Sequence, residues 1–415
     1  MENENLVVIS RSNLRTVSFG IALPIGSAIE PIPGVTDVLI THMLRNTMKY
    51  NENEFADIID KYGIGIFSDV DRTSTILGFR VPPQHLKKSL EIFNEILTEP
   101  NFSEDTIQKI VQQQIGGLQQ IKSTPEAMVS NYTKWTSSFG TDPITKHPAG
   151  SIEGLQKLNT SDLENWHKAI LRYNPYFASV GKDISEIKFK EHGLENILSI
   201  FGGNAGDYNP ISNSSNDLSS NYDEPEVPSS NAYIGINIRG SDPSLNNYGE
   251  DLYRAIISGG MSARMFTKIR EEKNLSYAPR MSVERFTKGS LLTALMDVSP
   301  DRAVEALETT VNLLHEAIIY PVDKDEMNRA LKGAQRIAVF VSDSSVSYTN
   351  FILDRLITNR EYDLNAIKNQ LTKTSEQDWQ DQVQELWTKR NISFAVSGQA
   401  GDVMNKWEEI MEKMF

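Results

Sequence analysis

Short patterns from the first half of this chain return in the second at a nearly fixed distance. Gly20-Ile21 and Gly26-Ser27 come back as Gly235-Ile236 and Gly240-Ser241. Leu158-Asn159-Thr160-Ser161, followed by Trp166, resembles Leu371-Thr372-Lys373-Thr374-Ser375, followed by Trp379. Phe177-Ala178 with Gly181 matches Phe394-Ala395 with Gly398. Matches in the same order, each roughly 215 residues apart, indicate two copies of one structural unit. Between the copies, residues 202–231 are rich in Ser, Asn, Asp, Gly and Pro and poor in large apolar residues. Such a segment buries too little surface to order itself and reads as a linker. The expected organisation is therefore a domain over residues 1–201, a linker over 202–231 and a homologous domain over 232–415.

Each copy opens with strand-like runs, Leu6 to Ser10 and Thr16 to Leu23 in the first and Ala232 to Ile238 in the second. Helical stretches follow over Thr36 to Met48 and Tyr248 to Ile257. Two more strand-like runs come next in each copy, Ile64 to Val70 with Ser74 to Val81, and Ser276 to Val283 with Leu291 to Val298. Amphipathic helices then appear, such as Leu86 to Leu97, whose Leu86, Leu90, Ile92, Phe93 and Leu97 form one stripe. Ser103 and Thr160 or Ser161 are candidate N-caps. A strand closes each copy, Phe177 to Val180 and Ser393 to Val396, with a helix after it. Grouped strands with paired helices predict an α+β fold of two homologous halves, each a mainly antiparallel sheet packed with helices.

The chemistry is easier to exclude than to assign. With 41 Lys and Arg against 55 Asp and Glu the formal charge is -14, the wrong sign for a dedicated nucleic-acid binder. No run of about 18 apolar residues is present, and the N-terminus lacks a basic region leading into an apolar one, so neither a membrane span nor a signal peptide is expected. The reading is a soluble protein, cytoplasmic or, with a trimmed leader, periplasmic. The absence of cysteine excludes thiol nucleophiles and thiolate ligands. Of the six histidines, His315 is followed by Glu316 without a His four positions on, and His192 to Asn196 ends in Asn where H-x-x-E-H needs His. No G-x-S-x-G elbow, P-loop or dinucleotide fingerprint is present. Gly259-Gly260 alone reads as a helix C-cap ahead of a helix capped by Ser262.

The stretch Thr36-Asp37-Val38-Leu39-Ile40-Thr41-His42-Met43-Leu44-Arg45-Asn46-Thr47 resembles the metal helix H-L-L-E-H-M-L-F-x-G-T of the pitrilysin/insulinase family of inverted-zincin metallopeptidases. Val111-Gln112-Gln113-Gln114-Ile115 is similar to that family's V-x-x-E-I, which carries the third ligand. In the second half, Gly259-Gly260-Met261-Ser262-Ala263-Arg264-Met265-Phe266 and Ile269-Arg270-Glu271-Glu272-Lys273-Asn274-Leu275-Ser276-Tyr277 resemble G-G-x-x-S-R-L-F and L-R-E-K-x-G-L-x-Y, with Asn274 where Gly is usual. Phe139-Gly140, His147-Pro148-Ala149-Gly150, Leu158 to Asp162, Tyr173-Asn174-Pro175 and Gly181-Lys182-Asp183 resemble further landmarks, so the likeness spans nearly the whole chain.

The resemblance implies a member without the zinc motif. Val38, Thr41 and Gln114 stand where the family has a histidine, the water-activating glutamate and the third ligand, and only His42 remains. A valine donates no electron pair, a threonine is no base at neutral pH, and one imidazole falls short of the three protein ligands a catalytic zinc needs. No cofactor is expected on this chain, with zinc in a partner subunit. By the same resemblance Arg270 and Tyr277 face a zinc site from a second domain or subunit, where a guanidinium and a phenol can donate to the oxygen that gains charge as a peptide bond is attacked. The implied function is the non-metal subunit of a two-subunit peptidase, half of a clamshell, paired with a zinc-bearing homologue or with itself when that homologue is absent, and acting on peptides. The alternative is an inactive peptide-binding or scaffold protein of the same fold.

Overall fold

The computed structural model describes residues 5–202, 219–223, 229–245 and 248–415. Met1 to Glu4 and residues 203–218 and 224–228 of the expected linker lie outside the described residues.

Among the described residues, ten strands form two five-stranded sheets. They are β1 (Leu6–Ser10), β2 (Val17–Leu23), β3 (Gly65–Val70), β4 (Thr75–Val81), β5 (Tyr176–Gly181), β6 (Ser219–Asp223), β7 (Ala232–Gly240), β8 (Arg280–Phe286), β9 (Gly289–Val298) and β10 (Ile392–Gly398). The first sheet runs β1-β5-β2-β4-β3 and the second β6-β10-β7-β9-β8, the same order with each strand replaced by its counterpart. In each sheet the first pair is parallel and the others antiparallel. The fold is α+β, built twice. The matched dipeptides occupy matched places: Gly20-Ile21 in β2 and Gly235-Ile236 in β7, Phe177-Ala178 in β5 and Phe394-Ala395 in β10.

The central strands are buried along their whole length, β2, β5 after its first residue, and β10 throughout. Successive side chains on a strand point to opposite faces, so continuous burial means that both faces are covered. On one face of the first sheet, Phe19 lies 5.8 Å from Phe79, 5.9 Å from Phe93 and 5.7 Å from Phe189 between ring centroids. The opposite face belongs to Gly20, against which the helix Ser345–Ile357 lies. A Cβ on Gly20 would come 3.0 Å from Leu353. The second sheet repeats the device. A Cβ on Gly235 would come 3.0 Å from Val129, in the π-helical turn Val129–Thr133. The repeated glycine is therefore a thin place on the strand that a helix needs.

Those covering helices do not come from the neighbouring sequence. One compact unit takes Met1–Leu118, Lys146–Tyr208 and Val339–Tyr362, and the other Gln119–Thr145, Asn209–Ala338 and Asp363–Phe415. The units thus cross the expected boundaries of 1–201 and 232–415. In each half a 19-residue helix, Glu104–Lys122 or Lys324–Ser342, leads into the segment given to the other unit. The delivered segments are anchored by polar contacts. Thr16 Oγ1 meets Ser345 Oγ at 2.9 Å, and the Arg11 guanidinium sits 5.5 Å above the Tyr348 ring. In the second unit Asn237 Nδ2 donates to Ser137 Oγ and Ser393 Oγ, both at 3.1 Å, and Thr133 Oγ1 donates to Asp223 Oδ2 at 2.7 Å.

Several local expectations shift. The strand β6 falls inside the expected linker, held by backbone pairing to β10 that needs no apolar side chains. The helix expected to Met48 stops at Met43. The strand expected from Ser276 begins at Arg280, directly after Pro279, which has no N–H for a ladder. Asn159, rather than Thr160 or Ser161, caps the helix Thr160–Ile170 in a reciprocal box with Asp162, and Ser375 does the same with Asp378 in the second copy. The two tryptophans also serve alike. Trp166 Nε1 donates to Thr36 Oγ1 at 3.0 Å and Trp379 Nε1 to the Gly249 carbonyl at 3.2 Å, each pinning the start of the equivalent helix.

Candidate functional site

The helix Val35–Met43 starts at Gly34, whose φ of 96° suits glycine. Its first N–H groups are met by a buried carboxylate: Glu30 accepts from the N–H of Gly34 at 2.7 Å and of Thr36 at 3.1 Å. Burial pushes the Glu30 carboxyl up to about 7 against the pull of those bonds. Gly150 ends the His147-Pro148-Ala149-Gly150 landmark and packs directly on this start, since a Cβ there would lie 2.4 Å from Gly34 Cα. His147 Nδ1 accepts from the Ala149 N–H at 3.1 Å, and burial lowers its pKa to about 4.

One turn further on stand the positions of interest. Val38 is fully buried and Thr41 half-buried. His42 is fully buried and stacked on Phe102, ring centroids 5.4 Å apart and planes 16° from parallel. Its Nε2 accepts from the N–H of Ser103 at 3.3 Å, just ahead of the helix Glu104–Lys122. A ring nitrogen that accepts carries no proton, so the imidazole is neutral with its proton on Nδ1. Burial, opposed by nearby Glu52, lowers its pKa to about 4. Gln114 projects from the same long helix and donates through Nε2 to Asp37 Oδ2. Burial raises the Asp37 carboxyl to about 6, with Asp69 adding to the rise.

This set does not fit zinc. Val38 offers no donor, Gln114 gives its amide nitrogen to Asp37 and leaves only a neutral amide oxygen, a weak zinc ligand, and the accepting nitrogen of His42 is spent on Ser103. Among the described residues no group of three or more His, Asp or Glu side chains is arranged to hold a metal ion. Asp37 escaped the sequence reading. It lies one position before the first degenerate ligand, and only the packing of the two helices brings it to Gln114.

In the second unit, Gly259 caps the helix Gly249–Ser258 and Gly260 takes φ 153°. Arg264 then holds Glu326 in a two-pronged pair at 2.8 and 2.9 Å. Residues Phe266–Glu272 form a π-helix instead of the expected α-helix capped by Ser262, with the Lys273 N–H reaching the Lys268 carbonyl at 3.2 Å. Widened turns of this kind recur where a side chain must be aimed. Asn274 adopts φ 49°, the left-handed conformation that the family's glycine would supply. The chain doubles back there, and Tyr277 returns over Arg270. The guanidinium lies 4.2 Å from the Tyr277 ring centroid and 4.7 Å from that of Phe266. Tyr277 is 77% exposed. Among the described residues, Arg270 forms no ion pair and the Tyr277 hydroxyl has no hydrogen-bond partner.

Two stretches match descriptions of a single family: residues 6–137 match "Insulinase (Peptidase family M16)" and residues 185–334 match "Peptidase M16 inactive domain". The chain belongs to peptidase family M16. Among its M16 relatives, "Non-peptidase homolog YmxG" of Helicobacter pylori is 20% identical over 349 residues, spanning 82% of this chain and 79% of that protein. "Uncharacterized zinc protease YmxG" of Bacillus subtilis is 17% identical over 404 residues, 96% of this chain and 97% of that one. The M16 fold is shared with solved structures. A peptidase M16 inactive domain from Pseudomonas fluorescens superposes with a TM-score of 0.85 at 16% identity over 95% of each chain. A protease from Helicobacter pylori gives 0.84 at 16% identity, over 95% of this chain and 97% of that one. This M16 member lacks the zinc motif, and no helix among its described residues is long and apolar enough to cross a membrane.

Proposed function

We propose that this chain is the non-metal subunit of a two-chain M16 peptidase and supplies Arg270 and Tyr277 to the site of a zinc-bearing partner. The observation that carries this is the Arg270–Tyr277 arrangement itself: an unpaired guanidinium clamped between two rings, under a tyrosine that is 77% exposed. A surface arginine of merely structural use would sit against a carboxylate, as Lys268 does with Glu272 two residues away. Held by rings instead, the guanidinium keeps its N–H groups for another molecule, and little side-chain entropy is left to lose when they engage it. The partner supplies zinc and the water it activates. Arg270 and Tyr277 donate to the carbonyl oxygen as the peptide bond is attacked, where positioned donors are each worth roughly 10²-fold in rate.

The name "Non-peptidase homolog" carried by the Helicobacter pylori relative supports an inactive chain, and the ligands lost at Val38 and Gln114, with the base lost at Thr41, support zinc being elsewhere. The test is to purify the chain with a homologue that carries an intact H-x-x-E-H motif and follow cleavage of a fluorogenic peptide. Neither chain alone should turn over at the paired rate, and Arg270→Ala in the pair should cut kcat by roughly 10²-fold with KM little changed. An unchanged rate removes the role of Arg270 and leaves an inactive peptide-binding or scaffold protein as the reading.

A further inference from the structure

We infer an anion-binding pocket on the second unit, shaped for the carboxylates of an acidic peptide. This rests on the chain being a peptide-handling subunit. A cavity of about 310 Å³ opens between the Gly259-Gly260 turn and the helix Lys324–Ser342. Arg329, Lys332 and Arg336 line it from one face of that helix, with Gly259, Gly260 and Ser262 opposite.

Like charges three and four positions apart on a helix repel, and natural helices offset them with acidic neighbours. Here none of the three cations has an ion pair among the described residues. The acid that also lines the cavity, Glu326, is already committed to both prongs of Arg264. The pocket therefore presents three positive charges held by no salt bridge on a chain whose formal charge is -14. The facing wall adds little bulk. A side chain at Gly260 would meet nothing within 4 Å. Three cations without an ion pair along one wall, with a glycine turn across from them, suit a carboxylate better than an apolar or basic ligand.

Two sources of carboxylate are available on a peptide, its acidic side chains and its C-terminus, and three labelled peptides separate them. One carries spaced glutamates and an amidated end, one replaces those glutamates with glutamine and keeps a free end, and one is glutamine-containing and amidated. Binding to the purified full-length chain is read by fluorescence anisotropy. The glutamate peptide should bind at least about tenfold more tightly than the neutral one, with the preference shrinking as salt is raised. The free-end peptide shows whether a terminal carboxylate suffices. In R329Q/K332Q/R336Q, checked for native circular dichroism, the preference should vanish while neutral-peptide binding is kept. Equal binding of all three peptides, or a preference that survives the triple substitution, overturns the pocket but leaves the peptide-handling reading intact. No binding of any peptide overturns both, independently of the Arg270→Ala rate.

Discussion

His42 shows what a ligand position becomes when its metal chemistry is gone. Its ring is stacked and its accepting nitrogen closes a helix start, so it has become a part of the fold. That use makes it a liability in acid. Its folded pKa of about 4 lies below the ordinary 6.5, so between those values the unfolded chain holds the extra proton, and this contribution to stability is lost as pH falls through that window. Glu30 and Asp37, raised to about 7 and about 6, have the opposite sign: the folded state holds their protons, and their contribution weakens as pH rises through their own windows. Urea unfolding of wild type and His42→Gln at several pH values isolates the first term. Wild type should lose roughly 2 kcal/mol more than the variant between pH 6.5 and 4. Parallel pH curves would show that the imidazole is not kept neutral by the fold. Asn274 gives a second residue-level test. Asn274→Gly should leave stability within about 1 kcal/mol, whereas Asn274→Val, forced to the same left-handed φ, should cost about 1–2 kcal/mol and displace Tyr277 from Arg270. The substitutions at Val38, Thr41 and Gln114 could be read in the sequence because losing a donor is visible in a letter. The Asp37–Gln114 bond and the π-helical turn could not, because each depends on which helices meet and how they wind.

At the level of elements, the repeat was readable wherever a strand carries apolar side chains to both faces, as in β2 and β10. It was unreadable at β6, whose residues Ser-Ser-Asn-Tyr-Asp look like linker and whose order comes from its neighbour's backbone. The glycines were visible as matches, but their reason was not. Gly20 and Gly235 are needed because a helix lies on the strand at that point, so their φ is irrelevant and their volume decisive. Gly20→Val and Gly235→Val should each destabilise by about 1–3 kcal/mol through overpacking against Leu353 and Val129. Pairing Gly20→Val with Leu353→Ala should recover part of that loss, a coupling readable in a double-mutant cycle. Full additivity of the two losses would mean that the glycine is not making room for this helix.

For the whole molecule, each sheet is completed by a segment from the other half of the sequence, Gln119–Thr145 for one unit and Val339–Tyr362 for the other. Sequence adjacency does not encode which sheet a helix covers, so a reading along the chain places the boundary in the linker and misses the exchange. The consequence is that neither half should fold alone. A fragment of residues 1–201 lacks the helix that covers Gly20, and should show no cooperative unfolding until residues 202–415 are supplied on a second chain. Whether this molecule has kept a peptidase body without the means to activate water is decided by its metal content. After purification, exposure to excess zinc and desalting, elemental analysis of the isolated chain should find no stoichiometric zinc. One tightly held zinc per chain, lost on His42→Ala, would mean that the site still holds its metal.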